Sequence, residues 1–181
     1  MAFAATTVYT LMFINSNAQK ITSDLAINSK AAMDLKDAMD LVAIVDAPPI
    51  ENNDNSILKD INPNAIKDFK KTFAVRNKTW HKTDKGFLAS FSLAEIKNVV
   101  AYNNKGKWQH TIRIYNEDRL SRKIRATVKR TYYDYSITLA EEIHTADGVV
   151  YLVHMQDETT WKIVRVSADG EMELFQNLNK G

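Results

Sequence analysis

One stretch of the chain states its pattern twice, and that repetition limits the folds open to it. Between residues 62 and 178, Phe69-Lys70-Lys71-Thr72-Phe73 is answered by Val128-Lys129-Arg130-Thr131-Tyr132. Lys82-Thr83-Asp84-Lys85-Gly86-Phe87 is answered by His144-Thr145-Ala146-Asp147-Gly148-Val149, and Asn103-Asn104-Lys105-Gly106-Lys107-Trp108 by Ser167-Ala168-Asp169-Gly170-Glu171-Met172. The offsets are 59 residues from Thr72 to Thr131, 62 from Gly86 to Gly148 and 64 from Gly106 to Gly170. So small a drift predicts one duplicated unit of about 60 residues with short insertions. The units run over residues 62–116 and 117–178.

Each unit reads as a helix followed by four antiparallel strands. Asn62-Pro63 is a helix start, because Asn caps well and Pro at the first helical position forfeits no hydrogen bond. Ile66, Phe69 and Phe73 then form one apolar face, and the helix should end near Ala74. Alternation follows over residues 75–83 with Trp80, over 87–93 after the Asp84-Lys85-Gly86 turn, over 96–102, and from Trp108, where Trp108, His110, Ile112 and Ile114 should share a face. In the second unit Leu120, Ile124 and Val128 predict a helix over residues 118–132. Strands over 136–145, 149–156, 161–166 and 171–175 complete it, with residues 177–181 expected to fray. Side by side the units make an α+β fold: one sheet of about eight strands with helices on one face and an open face opposite.

Residues 1–61 differ in kind. Residues 2–14 are uncharged and largely apolar, and small residues follow at Ser16 and Ala18. This resembles an export signal over residues 1–19, although no Lys or Arg precedes the run. The run is too short for a membrane span. Residues 24–45 predict an amphipathic helix: Leu25, Ala32, Leu35, Met39, Val42 and Val45 recur on one face, with Asp34, Lys36, Asp37 and Asp40 on the other. Pro48-Pro49 stops it, and the polar stretch to residue 61 reads as a linker.

Charge is unevenly spread. The net charge of +2 hides 17 Lys/Arg against 5 Asp/Glu in residues 64–130, 3 against 9 in 131–181, and 4 against 8 in 1–63. The basic stretch is either a solvated face partly neutralised by the acidic remainder, or a surface for nucleic acid or another polyanion. The chain has no cysteine, which excludes disulfides, thiolate catalysis and thiolate metal sites.

The helix ending in Phe69-Lys70-Lys71-Thr72-Phe73, the Trp80 strand, residues 86–91, residues 100–108, residues 132–140 and Asp169-Gly170-Glu171 together resemble the PepSY-like proteins, a family with a β-lactamase-inhibitor-protein-like fold found as small exported proteins of Bacteroidetes. The resemblance spans residues 61–175 and rests on the order and spacing of the pieces. The family's usual Leu-Pro at the second helix start is here Leu120-Ser121. The resemblance implies a two-repeat α+β fold, a periplasmic or extracellular location and no catalytic residue.

The residues themselves offer little chemistry. His81, His110, His144 and His154 fall on four different strands without metal-ligand spacing. Glu142 and His144 share a strand face, whereas Glu141 points to the other. Neither a phosphate loop nor a nucleophile elbow occurs, so no cofactor is predicted. The expectation is therefore a non-enzymatic exported module that binds a protein or peptide through the open sheet face. Its candidate anchors are Trp80, Trp108, Tyr151 and Trp161, which either stand on that face or pack as core beneath the helices. The alternative is nucleic-acid or anionic-surface binding through residues 64–130, with Arg122, Lys123, Arg125, Lys129 and Arg130 on one helix face.

Overall fold

The computed structural model describes residues 58–181; the expected export signal and the expected helix over residues 24–45 lie outside them. The elements run α1 (Pro63–Thr72), β1 (Thr79–Thr83), β2 (Gly86–Leu93), β3 (Ile96–Asn103), β4 (Trp108–Tyr115), a 3-10 turn (Glu117–Arg119), α2 (Arg122–Thr131), β5 (Ser136–Thr145), β6 (Gly148–Gln156), β7 (Thr160–Ser167) and β8 (Met172–Asn179). The strands form one antiparallel sheet in the order of the chain, β1 to β8. Over the described residues the architecture is α+β, a meander of eight strands carrying two helices.

Local chemistry sets the helix starts. The Asn62 side chain accepts from the Asn64 N–H at 2.9 Å, with Pro63 in the first turn. Ser121 Oγ accepts from the Ile124 N–H at 3.3 Å. That cap corrects the expected second helix. Leu120 is extended (φ −69°, ψ 135°), so a 3-10 turn and a helix replace one continuous helix from residue 118. Leu120 still reaches the core, where it is buried with Ile124 and Val128.

Both helices lie on the same sheet face. Ala65 and Phe69 of α1 bury against Trp80, Phe87, Ala89, Phe91, Val100 and Tyr102. Phe69 stands at the centre, with ring centroids 5.1 Å from Phe73, 5.4 Å from Trp80 and 5.6 Å from Phe91. Tyr102 OH donates to Asp68 Oδ2 at 3.1 Å and ties β3 to α1. Leu120, Ile124 and Val128 bury against Tyr115, Tyr135, Ile137, Ala140, Val153, Met155, Val164 and Val166. The register carries the face across: Val100 is opposite Thr111, and Tyr115, two pleats along β4, is opposite Ala140. The other face holds a third cluster, to which the described residues contribute from strands: Leu88, Val99, Ala101, Ile112, Ile143 and Leu152.

Two further expectations change. Ala101 is opposite His110 but Tyr102 is opposite Trp108, so an extra residue, Gln109, bulges from β4. One inserted residue reverses the alternation. Trp108 consequently joins the helix-side face while His110, Ile112 and Ile114 keep the other. The chain end is also ordered as strand: Thr160 is opposite Asn179 and Trp161 opposite Leu178, so β8 reaches beyond residue 175.

Candidate functional site

The two helices leave the middle of their shared sheet face partly open. A cleft of ≈ 790 Å³ lies there, over β2–β5 beside the end of α1. Phe73, Phe91, Leu93 and Trp108 give it apolar walls, and Thr111, Arg113 and His144 rise from its floor. Volumes of about 300–1,000 Å³, mostly apolar with few polar groups, are typical of binding clefts.

The floor is held by one carboxylate. Arg113 and Glu142 are directly opposite across β4 and β5. Arg113 Nη1 lies 2.8 Å from Glu142 Oε1, His144 Nε2 lies 2.5 Å from the same oxygen, and Tyr115 OH donates to Oε2 at 2.6 Å. Burial pushes the Glu142 carboxyl up, but the hydrogen bonds from Tyr115 and His144 and the Arg113 charge outweigh it and hold the group below its usual range. Burial, then the bond to Glu142, raises the Tyr115 phenol. Tyr151, opposite Glu142 on β6, is raised by burial and by the same carboxylate. Both Glu142 oxygens are engaged, so the carboxylate orients its neighbours. Arg113 and His144 keep side-chain exposures of 37% and 38% and line the cleft.

The rim carries backbone strain. The β2–β3 hairpin turns on Ala94 (φ 49°) and Glu95 (φ 66°), both left-handed and neither glycine. Such residues cost about 1–2 kcal/mol each. Arg119 Nη2 reaches Glu95 Oε2 at 3.3 Å, and Leu93 beside the turn is 59% exposed.

The four expected anchors do not converge. Trp80 is buried beneath α1, with its Nε1 lacking a hydrogen-bond partner among the described residues. Trp108 is half-buried on the cleft wall, and its Nε1 donates to Thr111 Oγ1 at 3.0 Å. Tyr151 packs against the α2 core. Trp161 alone of the four stands on the face opposite the helices. It is 46% exposed, donates to Gln156 Oε1 at 2.7 Å and carries Lys180 Nζ 5.4 Å from its ring centroid. Aromatic burial under helices, rather than display on the sheet, accounts for Trp80 and Tyr151.

Sequence reasoning missed Arg113, Tyr115 and the Ala94-Glu95 turn. The first two become a site only through the β4–β5 register, which joins the two halves of the chain. The turn carries neither Gly nor Asn, the usual signal. The basic face of α2 is partly spent internally: Lys123 Nζ donates to Ala168 O at 2.8 Å, Lys129 Nζ to the Tyr135 carbonyl, and Arg125 Nε lies 2.7 Å from Glu117 Oε1.

Neither a family model nor a curated protein matches the sequence. Solved structures do share the fold. A DUF2874 family protein from Bacteroides ovatus matches with a TM-score of 0.57 at 16% identity, covering 66% of this chain and 87% of its own. A BLIP-like protein from Bacteroides fragilis matches at 0.54 and 14%, covering 66% and 89%. A Bacteroides eggerthii protein provisionally named periplasmic matches at 0.55 and 10%, covering 66% and 88%. The chain thus has the fold of these Bacteroides proteins. Among the described residues no helix is long and apolar enough to cross a membrane.

Proposed function

We propose that the chain is an exported, non-enzymatic binding module that holds a protein or peptide in the cleft beside α1. The observation that carries this reading is the cleft itself: an apolar trough with an exposed Leu93 at its mouth and Arg113 and His144 at its floor. Apolar side chains would fill the trough and an acidic or carbonyl group would meet the floor, with Lys70 and Lys71 of the last α1 turn close by. The uncharged run at residues 2–14 and the provisional periplasmic name of the Bacteroides eggerthii neighbour support export. The BLIP-like name of the Bacteroides fragilis neighbour supports a protein partner, an enzyme to be inhibited among them.

The sheet-face version of this reading lacks its anchors, since only Trp161 stands there. The internal contacts of Lys123, Arg125 and Lys129 likewise weaken a polyanion site on α2.

The two halves are, on this reading, copies of one ancestral unit. Support comes from matched turn glycines: Gly86 (φ 150°) with Gly148 (φ 138°), and Gly106 (φ 75°) with Gly170 (φ 100°).

The test is affinity capture from a periplasmic extract with the full chain and two variants. Leu93→Asp places a charge at the cleft mouth, and Trp161→Asp does so on the opposite face. Partners captured by the wild type and lost only with Leu93→Asp fit the cleft. Loss only with Trp161→Asp would move the site to the sheet face and refute the cleft.

A further inference from the structure

The strands lie in chain order across the sheet, so the uneven charge of the sequence becomes uneven charge in space. Residues 63–116, which form α1 and β1–β4, carry eleven Lys/Arg against three Asp/Glu, a net +8. Residues 136–179, which form β5–β8, carry two against eight, a net −6. The cations of α2 offset that deficit in place. The helix packs on Ala140, Val153 and Val164 of β5–β7, and Lys123 Nζ donates to Ala168 O in the β7–β8 turn at 2.8 Å. Among the described residues no acidic element does the same for the α1 half.

The surplus of that half gathers on the helix side. Lys67, Lys70 and Lys71 are exposed on the side of α1 away from Ala65 and Phe69, the residues it buries. Lys82 is exposed and opposite Phe87, a member of the α1 core, so it stands on the helix side of β1. Lys107 is exposed in the turn that meets the start of α1; a Cβ at its neighbour Gly106 would lie 2.8 Å from the Ala65 nitrogen. Arg76 is exposed in the link from α1 to β1. None of these six side chains makes a hydrogen bond or ion pair among the described residues. The three carboxylates of the half offset little of this charge. Asp68 accepts from Tyr102 OH at 3.1 Å, Glu95 meets Arg119 at 3.3 Å, and Asp84 sits in the β1–β2 turn.

We propose that this face docks the molecule on an anionic lipid bilayer, with the α1 lysines against headgroup phosphates and the β5–β8 half turned away. Charge complementarity is the argument, and composition narrows the polyanion. Five of the six cations are Lys, a compact and strongly hydrated point charge, whereas bidentate phosphate and nucleic-acid recognition favour Arg. The exposed aromatics among the described residues, Tyr133, Trp161 and Phe175, all belong to the second half. The basic face therefore lacks the platform on which unpaired bases stack. Its cations spread over the outer side of α1 and the segments flanking it, an array that suits many headgroups at once rather than one phosphate. The acidic β5–β8 half sets the orientation, because the same surface repels it.

The test is co-sedimentation of the full chain with vesicles of mixed phosphatidylglycerol and phosphatidylcholine, compared with phosphatidylcholine alone. Excess binding to the anionic vesicles should appear at about 0.1 M salt and vanish at about 1 M, as the Debye length falls from about 10 Å to about 3 Å. A lysine near an anionic bilayer is worth about fivefold in partitioning, so Lys67→Gln with Lys70→Gln and Lys71→Gln should weaken binding about a hundredfold. Arg122→Gln with Lys123→Gln and Arg130→Gln removes the same charge from α2 and should weaken it less than about fivefold. All six replaced side chains are exposed, so both variants should keep the wild-type thermal transition. Equal loss in the two variants, or no excess on anionic vesicles, overturns the proposal. Tighter binding to a DNA duplex than to the vesicles at the same salt also overturns it, since nucleic acid would then be the ligand. So does a salt-sensitive oligomer by light scattering that the α1 variant abolishes, because the acidic half of a second copy would then occupy the face. Docking needs no protein partner, so this experiment and the capture experiment succeed or fail separately.

Discussion

Replacing Glu142 with glutamine changes a charge and almost no volume, which isolates the electrostatics of the cleft floor. Glu142 receives Arg113 at 2.8 Å, Tyr115 at 2.6 Å and His144 at 2.5 Å. Arg113 and His144 are more than a third exposed and can turn to water, so their share is discounted for screening. Tyr115 is 4% exposed and has no such recourse. A charge-assisted hydrogen bond is worth about 1.5–3 kcal/mol. The amide keeps one acceptor for Tyr115 but then aims its NH₂ at Arg113. The expected loss at pH 7 is about 2 kcal/mol, roughly 1 M in urea midpoint for an m-value near 2 kcal/mol/M. The pH dependence fixes the cause. The folded carboxyl titrates below its ordinary value, so its stabilisation is complete above the unfolded pKa and disappears as pH falls through the folded pKa. The gap between wild type and Glu142→Gln should therefore narrow on moving from about pH 6 to about pH 3 in paired urea titrations. A gap under about 0.5 kcal/mol at pH 7, or one unchanged at low pH, would refute this account of the floor.

Phe69→Ala removes the ring around which Phe73, Trp80 and Phe91 pack and should cost about 3–5 kcal/mol by chemical denaturation. Gly86→Ala should destabilise more than Gly148→Ala. A Cβ at Gly86 would meet the Tyr102 carbonyl oxygen at 2.0 Å, whereas one at Gly148 meets nothing within 4 Å and bears only the strain of its φ. Replacing Ala94-Glu95 by Asn-Gly should raise stability by about 1 kcal/mol by relieving two left-handed residues, the lost Glu95–Arg119 bridge being exposed and weak. Equal or lower melting temperature in that variant would show that the turn carries no releasable strain.

Much of this frame was legible in the chain because it is local. Asn62-Pro63 and the glycines of the β1–β2, β3–β4, β5–β6 and β7–β8 turns each act on neighbours a few residues away. What escaped depends on partners distant in sequence. The Gln109 bulge turns Trp108 to the helix side, and its cause lies in the pairing with β3, not in β4 itself. The Ala94-Glu95 turn is held by flanking strands against its own conformational preference. The cleft floor forms only when Arg113 and Glu142 meet across β4 and β5. The run Val99-Val100-Ala101-Tyr102 puts buried side chains on both faces of β3, a signal that alternation elsewhere in the sheet masked.

The meander has a consequence for how the molecule is made. Every strand hydrogen-bonds only to its predecessor and successor in the chain, so apart from β4 and β5, which flank α2, each pairing is a local hairpin, and topology of this kind favours rapid folding. The layer beneath α1 is complete once β4 has formed, before any of β5–β8 is needed. A polypeptide emerging amino end first, from a ribosome or through a secretion pore, could thus consolidate progressively, each new hairpin adding to a platform already standing.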